Sequence, residues 1–159
     1  MFRLNLPPYP YKTIQKDGKT LIFDDLRRKY VVLTPEEWVR QHFVHYLINH
    51  KGFPRGLMGN EVSLQLNDTS RRCDTVVYDR QLKPRVIVEY KATTVPITQE
   101  VFNQIYRYNI PLHADYLIVS NGLQHFCCHV DYGQGKSEFL TDIPCYSELR
   151  QPSPTGHAQ

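Results

Sequence analysis

Residues 71–91 read R-R-C-D-T-V-V-Y-D-R-Q-L-K-P-R-V-I-V-E-Y-K. Two β-rich runs, Cys73–Tyr78 and Val86–Tyr90, flank a polar connector that ends in Pro84. Proline cannot donate to a central ladder, so the pattern predicts a hairpin with its turn at 79–84. Folding about Leu82 brings Asp74 opposite Glu89 or one position away from it. Residues i and i+2 of a strand share a face, so Glu89 and Lys91 point the same way. Two carboxylates and an ammonium then converge at the end of a buried sheet. Packed carboxylates repel, and a cation normally holds them together. The plain alternative is a cross-strand salt bridge between Lys91 and its neighbours.

Outward from this hairpin, the flanking elements can be read in turn. Thr34-Pro35-Glu36-Glu37 is a helix start, with Thr34 as cap, Pro35 in the first helical position and Glu37 closing a capping box. That helix runs to about His50 and stops at Gly52. Val39, Phe43 and Leu47, with Trp38 and Tyr46 beside them, form its inward stripe. His42, His45 and His50 lie on it too, and they read as surface or satisfied histidines rather than metal ligands. Glu61–Leu66 alternates as a half-buried strand. Thr98 caps a second helix ending near Asn109, with Val101, Ile105, Tyr108 and Leu112 inward and Gln104 on the edge of that face. Asp115–Ser120, following a helix, is expected to join the sheet in parallel. Leu123–Val130 and Ser137–Leu140 are further edge strands. Residues 1–33 form an accessory β extension with a hairpin at Asp17-Gly18. Residues 34–146 form the main domain, and 147–159 a disordered tail.

The length of 159 residues fits one such domain with a real core. The net charge of +3 is modest. Residues 71–91 hold six Lys/Arg against three acids, a surplus of three that equals the whole chain's. A basic hairpin around an acidic site suits a phosphodiester substrate, with Arg72, Lys83 and Arg85 as phosphate contacts, and the charge alone suits a solvated hairpin equally well. The four cysteines form no C-x-x-C, and no apolar run has membrane length. The chain therefore reads as cytoplasmic, with reduced thiols. Gly135-Lys136-Ser137 resembles the end of a phosphate loop. Val130 stands where that loop needs glycine, so no nucleotide cofactor is expected.

The spacing D-(x)14-E-x-K from Asp74 to Lys91, followed by Q-x-x-x-Y from Gln104 to Tyr108, resembles the PD-(D/E)XK nuclease superfamily. T-P-E-E at Thr34, N-E-V at Asn60, R-x-C-D at Arg71, V-E-Y-K-A at Val88, Q-I-Y-R-Y at Gln104 and S-N-G at Ser120 occur in one order. That order is similar to the N-terminal nuclease domain of type I restriction enzyme R subunits, over about Thr34 to Val130. Cys73 departs from it, standing where the superfamily name has proline. The resemblance implies an α/β, restriction-endonuclease-like core, αβββαβ, with a mixed four-stranded sheet flanked by helices. It implies Mg²⁺-dependent DNA hydrolysis, with Mn²⁺ as substitute. Asp74 and Glu89 would hold the metal, Glu61 would add a ligand through water, and Lys91 would meet the developing charge. Gln104 and Tyr108 would orient the phosphate or the cluster. DNA and other restriction or defence subunits are the implied partners. A non-catalytic nucleic-acid-binding or adaptor module on the same fold is the alternative.

Overall fold

The computed structural model describes residues 2–150. Strands β1 (Thr13–Lys16), β2 (Lys19–Asp24) and β3 (Lys29–Val32) form a separate antiparallel sheet in that order. The expected extension is thus a three-stranded sheet, not a hairpin alone. Asp17 (φ 52°) and Gly18 (φ 75°) both take left-handed conformations at its first turn. Two such residues match the right-handed twist of the strands they join.

Helix α1 (Pro35–Lys51) begins on the Thr34 hydroxyl, which accepts from the Glu37 amide at 3.0 Å, and ends on left-handed Gly52. The expected capping box does not close. The Glu37 carboxylate turns to Arg27 and Arg40 instead. There follow β4 (Met58–Leu66), β5 (Thr69–Tyr78), β6 (Pro84–Tyr90), α2 (Gln99–Asn109), β7 (Tyr116–Ser120), β8 (His125–Asp131) and β9 (Lys136–Leu140). These strands make one six-stranded mixed sheet in sequence order. Its one parallel pair is β6–β7, because α2 carries the chain back across the sheet between them. Strand β4 starts before the expected Glu61, and β8 is an interior strand rather than an edge, since β9 pairs outside it.

Each face of the large sheet has its own core. Val39, Phe43 and Leu47 of α1 pack with Val86, Val88 and Ile118 on one side. Phe102 of α2 packs with Val76, Ile87, Leu117 and Val119 on the other. Burial on both faces explains why β6 reads Val-Ile-Val without alternation. Among the described residues no helix is long and apolar enough to cross a membrane.

Two expectations need correction here. The inward face of α2 is Phe102, Ile105, Tyr106 and Asn109; Ile105 and, just past the helix, Leu112 pack inward as expected, but Val101 and Tyr108 do not. Phe102 and Tyr106 offer more apolar surface than Val101 and Tyr108, and a one-residue change of phase turns a helix by about 100°. Residues 147–150 do not belong to a disordered tail; 151–159 lie outside the described residues. Leu149 is buried in the α1-side core, and the Arg150 amide donates to the Tyr116 hydroxyl at 2.9 Å. The Arg85 guanidinium donates to the Arg150 carbonyl. Leu149→Ala is expected to cost about 2–5 kcal/mol, the usual range for a buried leucine. Urea unfolding measures this, and a change of only a few tenths would show that the segment adds nothing.

Candidate active site

Asp74 occupies a point where both neighbouring strands release their pairing. The β4–β5 ladder is broken opposite it, at Glu61, between the pairs Asn60↔Thr75 and Val62↔Cys73. Glu61 has φ 54°, a left-handed conformation that is uncommon for a side chain of this size in a strand. The break reverses the side-chain alternation: Met58 packs with the α1-side core, whereas Val62 and Leu64 pack with the α2-side core. On the other flank the β5–β6 ladder ends at Thr75↔Val88. Side chains replace the missing ladder bonds. The Asp74 carbonyl accepts from Arg40 Nη1 at 2.9 Å, and its Oδ2 accepts from the Tyr90 amide at 2.9 Å.

One step beyond Thr75↔Val88, Asp74 faces Glu89. Burial pushes the Glu89 carboxyl up, the Asp74 charge adds to this, and together they raise it to about 9. Lys91 pulls the other way and is outweighed. Glu89 Oε1 is buried, and no donor reaches it among the described residues. Lys91 is half-buried, and its backbone amide donates to the Ser120 carbonyl at 2.9 Å, so β6 and β7 hold its position. The hairpin register thus sets Asp74 against Glu89, and Lys91, just past the end of β6, lies near enough for its charge to act on Glu89.

A pH dependence follows for the metal-free protein. Folded Glu89 keeps its proton to about 9, against an ordinary 4.5, so the native state binds more protons between those values. This contribution to stability is complete below 4.5 and is lost as pH rises toward about 9. Glu89→Gln should flatten that decline when melting is followed in EDTA from about pH 5 to about pH 9. An unchanged slope would mean that Glu89 is not the group responsible.

Residues 35–144 match the family described as the N terminus of type I restriction enzyme R proteins. This chain belongs to that family. Among solved structures it is similar to the fragment structure assigned to an HsdR subunit of a type I restriction enzyme from Vibrio vulnificus YJ016. The two share 20% identity at a TM-score of 0.52. The likeness covers 74% of this chain and 24% of that one, so the chain spans about a quarter of its structural relative. No curated protein matches it.

The other expected residues of this R-protein N-terminal domain are placed less centrally. Glu61 gives one oxygen to Arg40 Nη2 and the other to Arg72 Nε, both at 2.5 Å. It faces two guanidiniums rather than standing free for a metal. Among the described residues no three His, Cys, Asp or Glu side chains are grouped to hold a metal ion. Arg72 is exposed, at 70% of its side chain, and open to an external anion. Gln104 is exposed rather than aimed into the cluster, as the corrected phase of α2 requires. Tyr108 is 44% exposed, with the Arg71 guanidinium 4.5 Å above its ring. Lys83 is exposed in the hairpin turn, at the opposite end of β6 from Glu89. Arg85 is buried and engaged with Arg150, so it is not a surface phosphate contact.

Sequence reading missed Arg40. It is buried, ion-paired with Glu37 at 2.6 Å and bonded to Glu61 and to the Asp74 carbonyl. A signal was present in the i, i+3 pair Glu37 and Arg40 beside the apolar stripe. Helix α1 is buried from Glu37 through His45 without a break, so every polar side chain there needs an internal partner.

Proposed function

We propose that this R-protein N-terminal domain is a Mg²⁺-dependent nuclease that hydrolyses DNA phosphodiester bonds on a restriction-endonuclease-like core. The observation that carries the reading is the buried, donor-free oxygen of Glu89 facing Asp74. Such an arrangement is unfavourable unless a proton or a cation occupies it. Two carboxylates suit Mg²⁺, which keeps several waters and takes substrate oxygens rather than a full protein cage. Mn²⁺ would serve in its place. A bound divalent ion at such a site polarises a phosphoryl oxygen and acidifies water. Asp74 and Glu89 hold the ion, and Lys91 sets its ammonium against the charge that develops on the phosphate. Gln104 and Tyr108, on the outer surface of α2, meet the phosphate rather than brace the carboxylates. Arg72 and, farther away, Lys83 contact the DNA backbone. These contacts supply affinity and register but no base reading. Family membership favours DNA and other subunits of a restriction complex as partners.

The test is conversion of supercoiled plasmid to nicked circles with Mg²⁺, Mn²⁺ or EDTA, for wild type and Asp74→Asn. Nicking that needs the metal and Asp74 supports the reading. DNA binding without nicking under any metal would overturn it and leave a non-catalytic binding module.

A further inference from the structure

The buried polar groups on the α1 side of Asp74 form a closed circuit. Asp24, at the end of β2, is fully buried; its Oδ2 accepts from Arg27 Nε at 2.5 Å and from Asn60 Nδ2 at 3.0 Å. One arm runs from Asn60 to the Thr75 hydroxyl at 2.7 Å and on to the Tyr90 hydroxyl at 2.9 Å. The other runs from Arg27 to Glu37, and from Glu37 to Arg40 at 2.6 Å. Both arms finish at Asp74. The Tyr90 amide holds its carboxylate, and Arg40 holds its carbonyl.

We infer that Arg40 is a positioning residue for the carboxylate pair, anchored through Glu37 and Arg27 to the accessory sheet. The inference rests on the reading of Asp74 and Glu89 as a metal site. Where Glu61 turns left-handed, Asp74 loses its partner across β4, and a strand free on that side would let its carboxylate swing. Arg40 fills the gap with a rigid fork that engages the Asp74 carbonyl, Glu61 and Glu37 together. Lysine carries the same charge but has no planar fork, so it cannot hold these acceptors at once. The accessory sheet thereby belongs to the foundation of the site, because Asp24 and the Arg27 that follows it complete the circuit.

The experiment is a Mg²⁺ titration of wild type, Arg40→Lys and Glu37→Gln, read three ways: melting temperature, plasmid nicking, and DNA affinity in EDTA. Partners that orient metal ligands typically matter about 10–100-fold in metal affinity or activity. Arg40→Lys should raise the half-saturating Mg²⁺ by about that factor in both the melting and the nicking titrations. DNA affinity in EDTA should stay at the wild-type value. Glu37→Gln keeps the shape, touches no site residue other than Arg40, and should move the same midpoint in the same direction by less. A brace that serves only the fold would lower the melting temperature at every Mg²⁺ concentration without moving the midpoint. Folded Arg40→Lys with a wild-type midpoint therefore overturns the inference and leaves the nuclease reading standing. If Arg40→Lys does not fold, the midpoint of Glu37→Gln decides. A wild type that melts higher with Mg²⁺ but never nicks overturns the nuclease reading, and the melting midpoints still judge Arg40. A wild type with neither response overturns both.

Discussion

Lys91→Ala is expected to reduce plasmid nicking by about 10²–10³-fold, the usual loss for one charge contact made in the transition state. The fold should tolerate the change. Strand β6 is tied to β7 at this point by the Lys91 backbone amide, which alanine retains. Most of the Mg²⁺-dependent rise in melting temperature should survive, because the carboxylates of Asp74 and Glu89 generate it through binding linkage. Lys91 lowers the Glu89 pKa, so its loss makes Glu89 hold its proton more firmly. The surviving metal response should therefore weaken most at low pH. DNA affinity should fall little, since Arg72 and Lys83 remain exposed to meet phosphates. Nicking, melting with and without Mg²⁺, and binding against salt separate these effects. Wild-type nicking by Lys91→Ala would make the lysine a structural ion-pair partner.

Asp24→Ala is expected to destabilise the protein by about 3–5 kcal/mol, the range for removing one partner of a buried ion pair. Its Oδ1 accepts from the Leu26 amide at 2.7 Å and the Arg27 amide at 2.9 Å. Its Oδ2 serves Arg27 Nε and Asn60 Nδ2. Alanine leaves those donors without an acceptor and frees Arg27 from the end of β2. Urea unfolding reads the loss directly, and a change below about 1 kcal/mol would place Asp24 in the class of weak surface pairs. The acid limb supplies an independent check. Burial alone would raise the Asp24 carboxyl, but the hydrogen bonds from Arg27 and Asn60 outweigh it and hold it below its ordinary 3.8. A depressed folded pKa gives stability that is complete above the unfolded value and lost as pH falls through the folded one. Asp24→Asn should therefore flatten the acid limb, whereas Glu89→Gln flattens the decline toward alkaline pH.

Much of the main sheet was legible in residues 71–91. A short turn at 79–83 leaves few registers open, and the observed one, with one irregularity between Val77 and Tyr78, carries Asp74 to Glu89. Helix α1 was legible because its signals are local: Thr34 caps it and Gly52 ends it. The parallel pairing of β7 followed from the crossover that α2 imposes. Helix α2 was legible in extent but not in phase. Two candidate stripes one residue apart compete there, and packing against the sheet takes the one that carries the larger Phe102 rather than Val101. The buried Arg85 was misread for a related reason. Its charge is visible in the sequence, but the chain end that covers it arrives from Arg150, 65 residues away.

Sequence alone determined the hairpin, the placing of Asp74 against Glu89, the helix boundaries and the family signature. Each depends on short-range geometry: the two-residue period of a strand, the caps of a helix, the turn between neighbouring strands. Tertiary structure decided the left-handed break at Glu61, the pairing of Glu61 with Arg40 and Arg72, and the circuit from Asp24 to Asp74. Those features join β2, α1, β4, β5 and β6. A buried charge takes whichever partner the packed elements bring within hydrogen-bond reach, and no local pattern along the chain encodes that choice.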